Sequence, residues 1–301
     1  MAKPPSLNPF LLAAESWAFF RRQPALLSVL LWLVILPSAA IEAMDAYWPE
    51  SDVPSVRGIG ELSFVVAMIV MLFLMLWGLA CTLLVARRML QSKAGRSRTS
   101  FSAVRRESIK LILPLFFTSL LRGIITVYWA LPYLAASLAF VMLSRECQLG
   151  LRDMADAASP RDAMAAFYRG CSPLLLLLPL LIFPIVYCLR TFFWGAVVAG
   201  EKLKYRDALR RSRDVVKGRG WPTLGALLGL GLLLFVPAQI PVGIAWYVET
   251  RQEIVFPLLD ELTGSVTNAV AGMLFTLGTV ELYRRLRART VGAHEVVPEG
   301  I

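Results

Sequence analysis

Histidine is almost missing from this chain of 301 residues: the one present, His294, sits close to the C-terminus. Imidazole is the side chain most often used to move protons near neutral pH, so His-based triads and metal-assisted hydrolysis are disfavoured. Charge is scarce as well. Only 17% of residues are Asp, Glu, Lys or Arg, where a soluble domain carries about a quarter. The four cysteines, Cys81, Cys147, Cys171 and Cys188, show no C-x-x-C spacing and lie in or beside apolar blocks. They read as small core hydrophobes, not as a disulfide framework or a metal site. No stretch between apolar blocks approaches the roughly 50 residues a separate soluble domain needs. With no catalytic motif, the expectation is a non-enzymatic protein with no cofactor and no metal.

What the chain does have is long apolar runs. Hydrophobic residues make up 57% of it and its mean hydropathy is +0.63. Leu62 to Ala86 contains no charge at all, and about 20 such residues cross a hydrocarbon core of about 30 Å as a helix. The expected fold is therefore all-α: a polytopic transmembrane bundle of six to eight segments with interfacial amphipathic helices. Residues 1–24 read as an N-terminal interfacial helix, with Phe10, Leu11, Ala14, Trp17 and Phe20 on one side. Residues 25–290 read as one transmembrane domain and 291–301 as a disordered tail. Although Arg21 and Arg22 precede an apolar run, the long start and the later spans favour an uncleaved anchor over a secretory signal.

The 31 basic side chains against 21 acidic ones give a net charge of +10, and the excess lies between apolar blocks. This is the pattern of cytoplasmic loops facing an anionic inner leaflet, so membrane lipids are the expected partner and nucleic acid is not. Residues 87–110 hold eight bases against Glu107, while residues 42–61 hold five acids against Arg57. The first stretch belongs inside and the second outside a bacterial cytoplasmic membrane, which puts both termini in the cytoplasm. Residues 111–144 and 171–200 are each too long for one ordinary span and short for two. Each could be one long helix or a hairpin turning at Pro132 or Pro184. A recurring unit, a basic amphipathic stretch followed by proline or a small residue and then an apolar block, starts near residues 10, 101, 161 and 206. That recurrence tips the reading toward hairpins and eight segments.

Charges at membrane depth are costly and point to a partner or a function. Arg122 and Arg190 are the two, with Glu201 and Glu281 near the inner boundary where a long arginine could reach them. Snorkelling or ion pairing is the plainer reading and an arginine-lined cavity for an anionic group the sharper one. Residues 202–219 form a basic amphipathic helix: Ala208, Leu209, Ser212, Val215 and Val216 share one face, and Arg206, Arg210, Arg213 and Lys217 lie elsewhere. This helix is expected to lie on the inner leaflet.

The stretch LLIFPIVYCLRTFFWGAVVAGE (180–201), then DALRRSRDVVKGRGWPTLGALL (207–228), resembles the bacterial membrane-domain family named after glycerophosphoryl diester phosphodiesterase. Pro184, Tyr187, Arg190, Glu201, Ala208, Leu209, Ser212, Gly218 and Trp221 occupy matching places, and ELYRRLRART (281–290) is similar to that family's close. Two departures stand out: Ile185 replaces an expected glycine, and residues 123–170 look like an insertion. The resemblance implies about six spans and no assigned chemistry. It does not imply hydrolysis, because the hydrolase domain that names the family is not in this chain.

Overall fold

The computed structural model describes residues 6–37, 40, 54–90, 100–155, 159, 164–165, 172–252 and 259–291. The expected tail at 291–301 lies almost wholly outside them. The described residues are helical, with no strand among them. In chain order the helices are α1 (Pro9–Arg22), α2 (Pro24–Leu30), α3 (Pro54–Ala86), α4 (Phe101–Leu143), α5 (Arg145–Ala155), α6 (Ile182–Arg190), α7 (Trp194–Glu201), α8 (Tyr205–Val216), α9 (Gly220–Gln252) and α10 (Leu259–Val291). A π-helical turn, Leu31–Ile35, prolongs α2, and 3₁₀ segments at Arg87–Leu90 and Ser172–Leu181 follow α3 and precede α6.

Five apolar stretches are long enough to cross a membrane: Val65–Leu90, Phe101–Leu143, Leu176–Glu201, Gly220–Val248 and Thr263–Arg289. A sixth, Pro24–Leu33, is shorter. The surface of α9 suits hydrocarbon surroundings. Leu228, Leu232, Val236, Ile240 and Ile244 are all exposed by more than half, and their fourfold spacing draws one apolar stripe along the helix. Water would penalise such a stripe, whereas hydrocarbon does not.

The hairpin at 111–144 does not form, and the eight-segment expectation is corrected here. α4 is one continuous helix of 43 residues through both Pro114 and Pro132. Breaking a helix in hydrocarbon strands amides with no water to bond them, so a proline is tolerated within the helix sooner than a turn is made. The helix stops where its last carbonyls find other donors: Gln148 Nε2 bonds the Val141 and Met142 carbonyls at 3.1 and 3.0 Å. Ser144 Oγ then caps α5, accepting from Cys147 N. Residues 176–201 likewise form a single apolar stretch, interrupted by a turn at 191–193.

The chain separates into two compact units. The first comprises residues 1–118 and 193–301, with α10 as its hub. α9 lies along α10, and α1, α3, α7 and α8 also pack on it. Its C-terminal half is buried on nearly every side, including Leu277, Val280, Leu282, Tyr283 and Leu286. α1 starts with Asn8 capping Phe10 N and Pro9 in the first turn, and it buries Leu12, Ser16, Phe19 and Phe20. Phe10, Leu11, Ala14 and Trp17 stay exposed, as an interfacial helix requires, while Phe20 turns into the core. The second unit, residues 119–192, holds the rest of α4, α5, the 3₁₀ segment Ser172–Leu181 and α6. In it α4 and α6 meet through Trp129 stacked on Phe183.

Candidate functional site

Glu201 ends α7, where the helix dipole disfavours a carboxylate. The chain turns away at once, with Lys202 in the left-handed conformation at φ 58°. Three side chains compensate the acid. Arg211 Nε of α8 donates to Oε2 at 3.0 Å, while Arg287 Nε of α10 lies 3.4 Å from Oε1 and the Tyr283 hydroxyl donates to that same Oε1. Burial works against the Arg211 charge, but the neighbouring Glu201 more than offsets it, so that guanidinium is held above its ordinary range.

Two residues before Tyr283, Glu281 is 1% exposed. Arg284 grips it with both Nε and Nη2, at 2.7 and 2.6 Å, and Arg285 Nε adds a third bond at 2.9 Å. Such a fork-to-carboxylate pair is the strongest polar contact available to side chains. Arg285, itself buried, also reaches Glu15 of α1 at 2.8 Å and the Ser6 carbonyl. Arg219 closes the band by donating to the Leu286 and Arg289 carbonyls, among the last acceptors of α10. The result is a ring of ion pairs around the C-terminal turns of α10 that ties α1, α7 and α8 to it.

The partners differ from those expected. Glu201 and Glu281 share this band, and the arginines bonded to them are 211, 284, 285 and 287; Arg122 bonds Thr191 and Cys188. Spacing already held the signal for Glu281, because arginines three and four positions on share its helix face. Nothing local in the sequence marks Glu15 or Ser6.

Arg122 is the midpoint of α4. Among the described residues its acceptors are neutral: Nε donates to Thr191 Oγ1 at 3.2 Å and Nη2 to the Cys188 carbonyl at 3.3 Å. The Tyr187 carbonyl accepts from the Thr191 hydroxyl at 2.8 Å, and Thr126 Oγ1 lies 3.6 Å from Cys188 Sγ. Tyr187 is half-buried and Arg190, at the end of α6, is exposed. A charge at the centre of a membrane helix costs about 2.5–3.5 kcal/mol on insertion scales.

On α8 the faces divide as the spacing requires, but the apolar face is covered by protein and not by lipid. Ala208, Leu209, Ser212, Val215 and Val216 are buried, and Ser212 Oγ accepts from Phe193 N at 3.0 Å. Arg206, Arg210, Arg213 and Lys217 all remain exposed. At steps of four, three and four they form one straight basic ridge.

Small residues allow close packing within the chain. A side chain at Gly229 would meet Pro9 and one at Gly195 would meet Leu83. Among the described residues no group of metal-ligating side chains converges.

Helices this long and apolar, with their compensated charges gathered at one end, define an all-α bundle of the kind built for membranes. The chain belongs to the family described as Domain of unknown function (DUF7847), whose model matches residues 13–286. No curated protein and no solved structure matches it.

Proposed function

We propose that this protein is a non-enzymatic component of a bacterial cytoplasmic membrane, acting as a scaffold, accessory subunit or lipid-associated factor, with both termini in the cytoplasm. The observation that carries this reading is the commitment of the acids. Glu201 and Glu281, the carboxylates nearest the buried end of the bundle, are each held by two arginines, so neither is poised as a base or nucleophile. The orientation follows from the basic stretches 87–110, 202–219 and 284–289, which the positive-inside rule puts on one side. Six crossings, counting the short Pro24–Leu33 helix, return the chain to that side. On it, the basic ridge of α8 faces anionic headgroups at about 1 kcal/mol per cation near the surface.

The resemblance to the membrane-domain family named after glycerophosphoryl diester phosphodiesterase is part of the same proposal. It rests on the sequence matches at Pro184, Arg190, Glu201 and the Ala208–Leu209–Ser212 face of α8.

The test is fractionation followed by isolation in native lipid. Sedimentation with membranes through alkaline carbonate, and co-isolation with anionic lipid or a membrane partner, is the expected result. Recovery in the soluble fraction, or substrate turnover by the purified protein, would remove the reading.

A further inference from the structure

We propose that Gln239 of α9 and Asn268 of α10 form the polar clasp of a homodimer within the membrane, with a second copy of this chain docked on the face they share. The proposal rests on the membrane placement above.

Gln239 comes eleven residues after Leu228 and seven after Leu232. Both steps are close to whole numbers of helical turns, so Gln239 falls within the exposed apolar stripe of α9, and its own side chain is exposed. Trp221 and Trp246 are exposed on the same face, and tryptophans of this kind mark the two edges of a hydrocarbon layer. Gln239 lies about 10 Å along the helix from Trp246, well inside those edges. Asn268 lies within the long apolar stretch of α10 and is exposed as well. The two side chains meet, Gln239 Nε2 donating to Asn268 Oδ1 at 3.0 Å.

That bond leaves a definite remainder. Asn268 Nδ2 and Gln239 Oε1 have no partner among the described residues. Hydrocarbon offers them none, and an amide group without a partner there is costly. The remainder is one donor group and one acceptor, both neutral, and the two complement each other across a twofold axis. Asn268 Nδ2 donates to the partner's Gln239 Oε1, and the same contact made in reverse satisfies both copies. A second copy carries the matching pair in the matching place, whereas a lipid tail answers neither group. The face is also open to it. Of the five long apolar stretches, that of α9 is the least covered, and a methyl group at Gly243, one turn past Gln239, would meet nothing within 4 Å. Small residues at such a place let a neighbouring backbone approach closely.

The experiment uses the full chain, labelled with donor and acceptor dyes in separate batches and reconstituted together in vesicles of phosphatidylcholine and phosphatidylglycerol. Energy transfer is followed as the protein is diluted in lipid, and the wild type should give a dimer that dissociates on dilution. The double variant Gln239→Leu with Asn268→Leu removes both partners of the internal bond at once, which keeps the fold. It should weaken the dimer about tenfold or more, the loss of two hydrogen bonds between helices. In a background with the four native cysteines replaced, Gly243→Cys should cross-link copy to copy under mild oxidant. Ile69→Cys, exposed on α3, should not. The proposal is overturned if the wild type is monomeric at every dilution, if the double variant associates as strongly as the wild type, or if the two cysteine variants cross-link alike. Capture of a different membrane protein by a monomeric chain overturns it as well. A chain that sediments with membranes yet stays monomeric removes this proposal alone, and one recovered in the soluble fraction removes the membrane placement with it.

Discussion

Glu281 is almost fully buried and survives there as an acid because three guanidinium donors converge on it. Removing the carboxylate would leave Arg285, 6% exposed, with Glu15 as its remaining counter-charge. Breaking a buried pair by deleting one partner costs about 3–5 kcal/mol. Glu281→Gln should accordingly lose most of that in a thermal or denaturant melt of the detergent-solubilised protein. The control is Glu107→Gln, because Glu107 is exposed and 4.0 Å from Arg87; an exposed pair of that kind contributes about 0–1 kcal/mol. Equal melts for the two variants would show that the band around α10 is not the anchor argued here. Tyr283→Phe removes the single donor of a buried hydroxyl to Glu201 and should cost about 1–3 kcal/mol. Of these residues, Glu201 and Glu281 were legible from their place beside apolar runs. Their partners were legible only where helical spacing supplied them, because Glu15 and Arg285 meet through tertiary packing alone.

Elements are held together by small residues as much as by charge. A methyl group at Gly278 would come within 2.5 Å of Leu230 and 3.2 Å of Ser16 Oγ, where α10, α9 and α1 meet, while one at Gly272 would meet nothing within 4 Å. Gly278→Ala is therefore expected to destabilise by about 1–3 kcal/mol through overpacking. Gly272→Ala should be neutral or slightly favourable, as a helix gains from alanine. Melts in detergent that rank the two the other way would contradict the crossing described.

At this scale the sequence was read well for α8, whose buried and exposed faces follow its helical spacing. It was read less well for what covers the apolar face, since periodicity shows that a face is apolar but not whether protein or lipid meets it. Three of the recurring amphipathic stretches share a buried serine on the packed face. Ser16, Ser108 and Ser212 are each fully buried on α1, α4 and α8, and Pro24, Pro114 and Pro222 follow them. Of the remaining copy, the amphipathic stretch 161–171 falls mostly outside the described residues. The inference from recurrence to hairpins failed because Pro132 marks a turn only where water can bond the freed amides, and inside α4 none is at hand.

For the whole molecule, the proposed arrangement is six crossings with the charged band on the cytoplasmic side. On the proposed topology, with α4 and the stretch 176–201 each crossing once, residues 145–155 are expected outside and residues 202–219 inside. Asp153 is an exposed residue of α5, and Arg210 an exposed residue of α8. In a background with the four native cysteines replaced, Asp153→Cys should react with a membrane-impermeant maleimide applied to intact cells, and Arg210→Cys should react only after the membrane is opened. Labelling of Asp153→Cys only after the membrane is opened, together with Arg210→Cys, would contradict the six-crossing bundle on which the account depends.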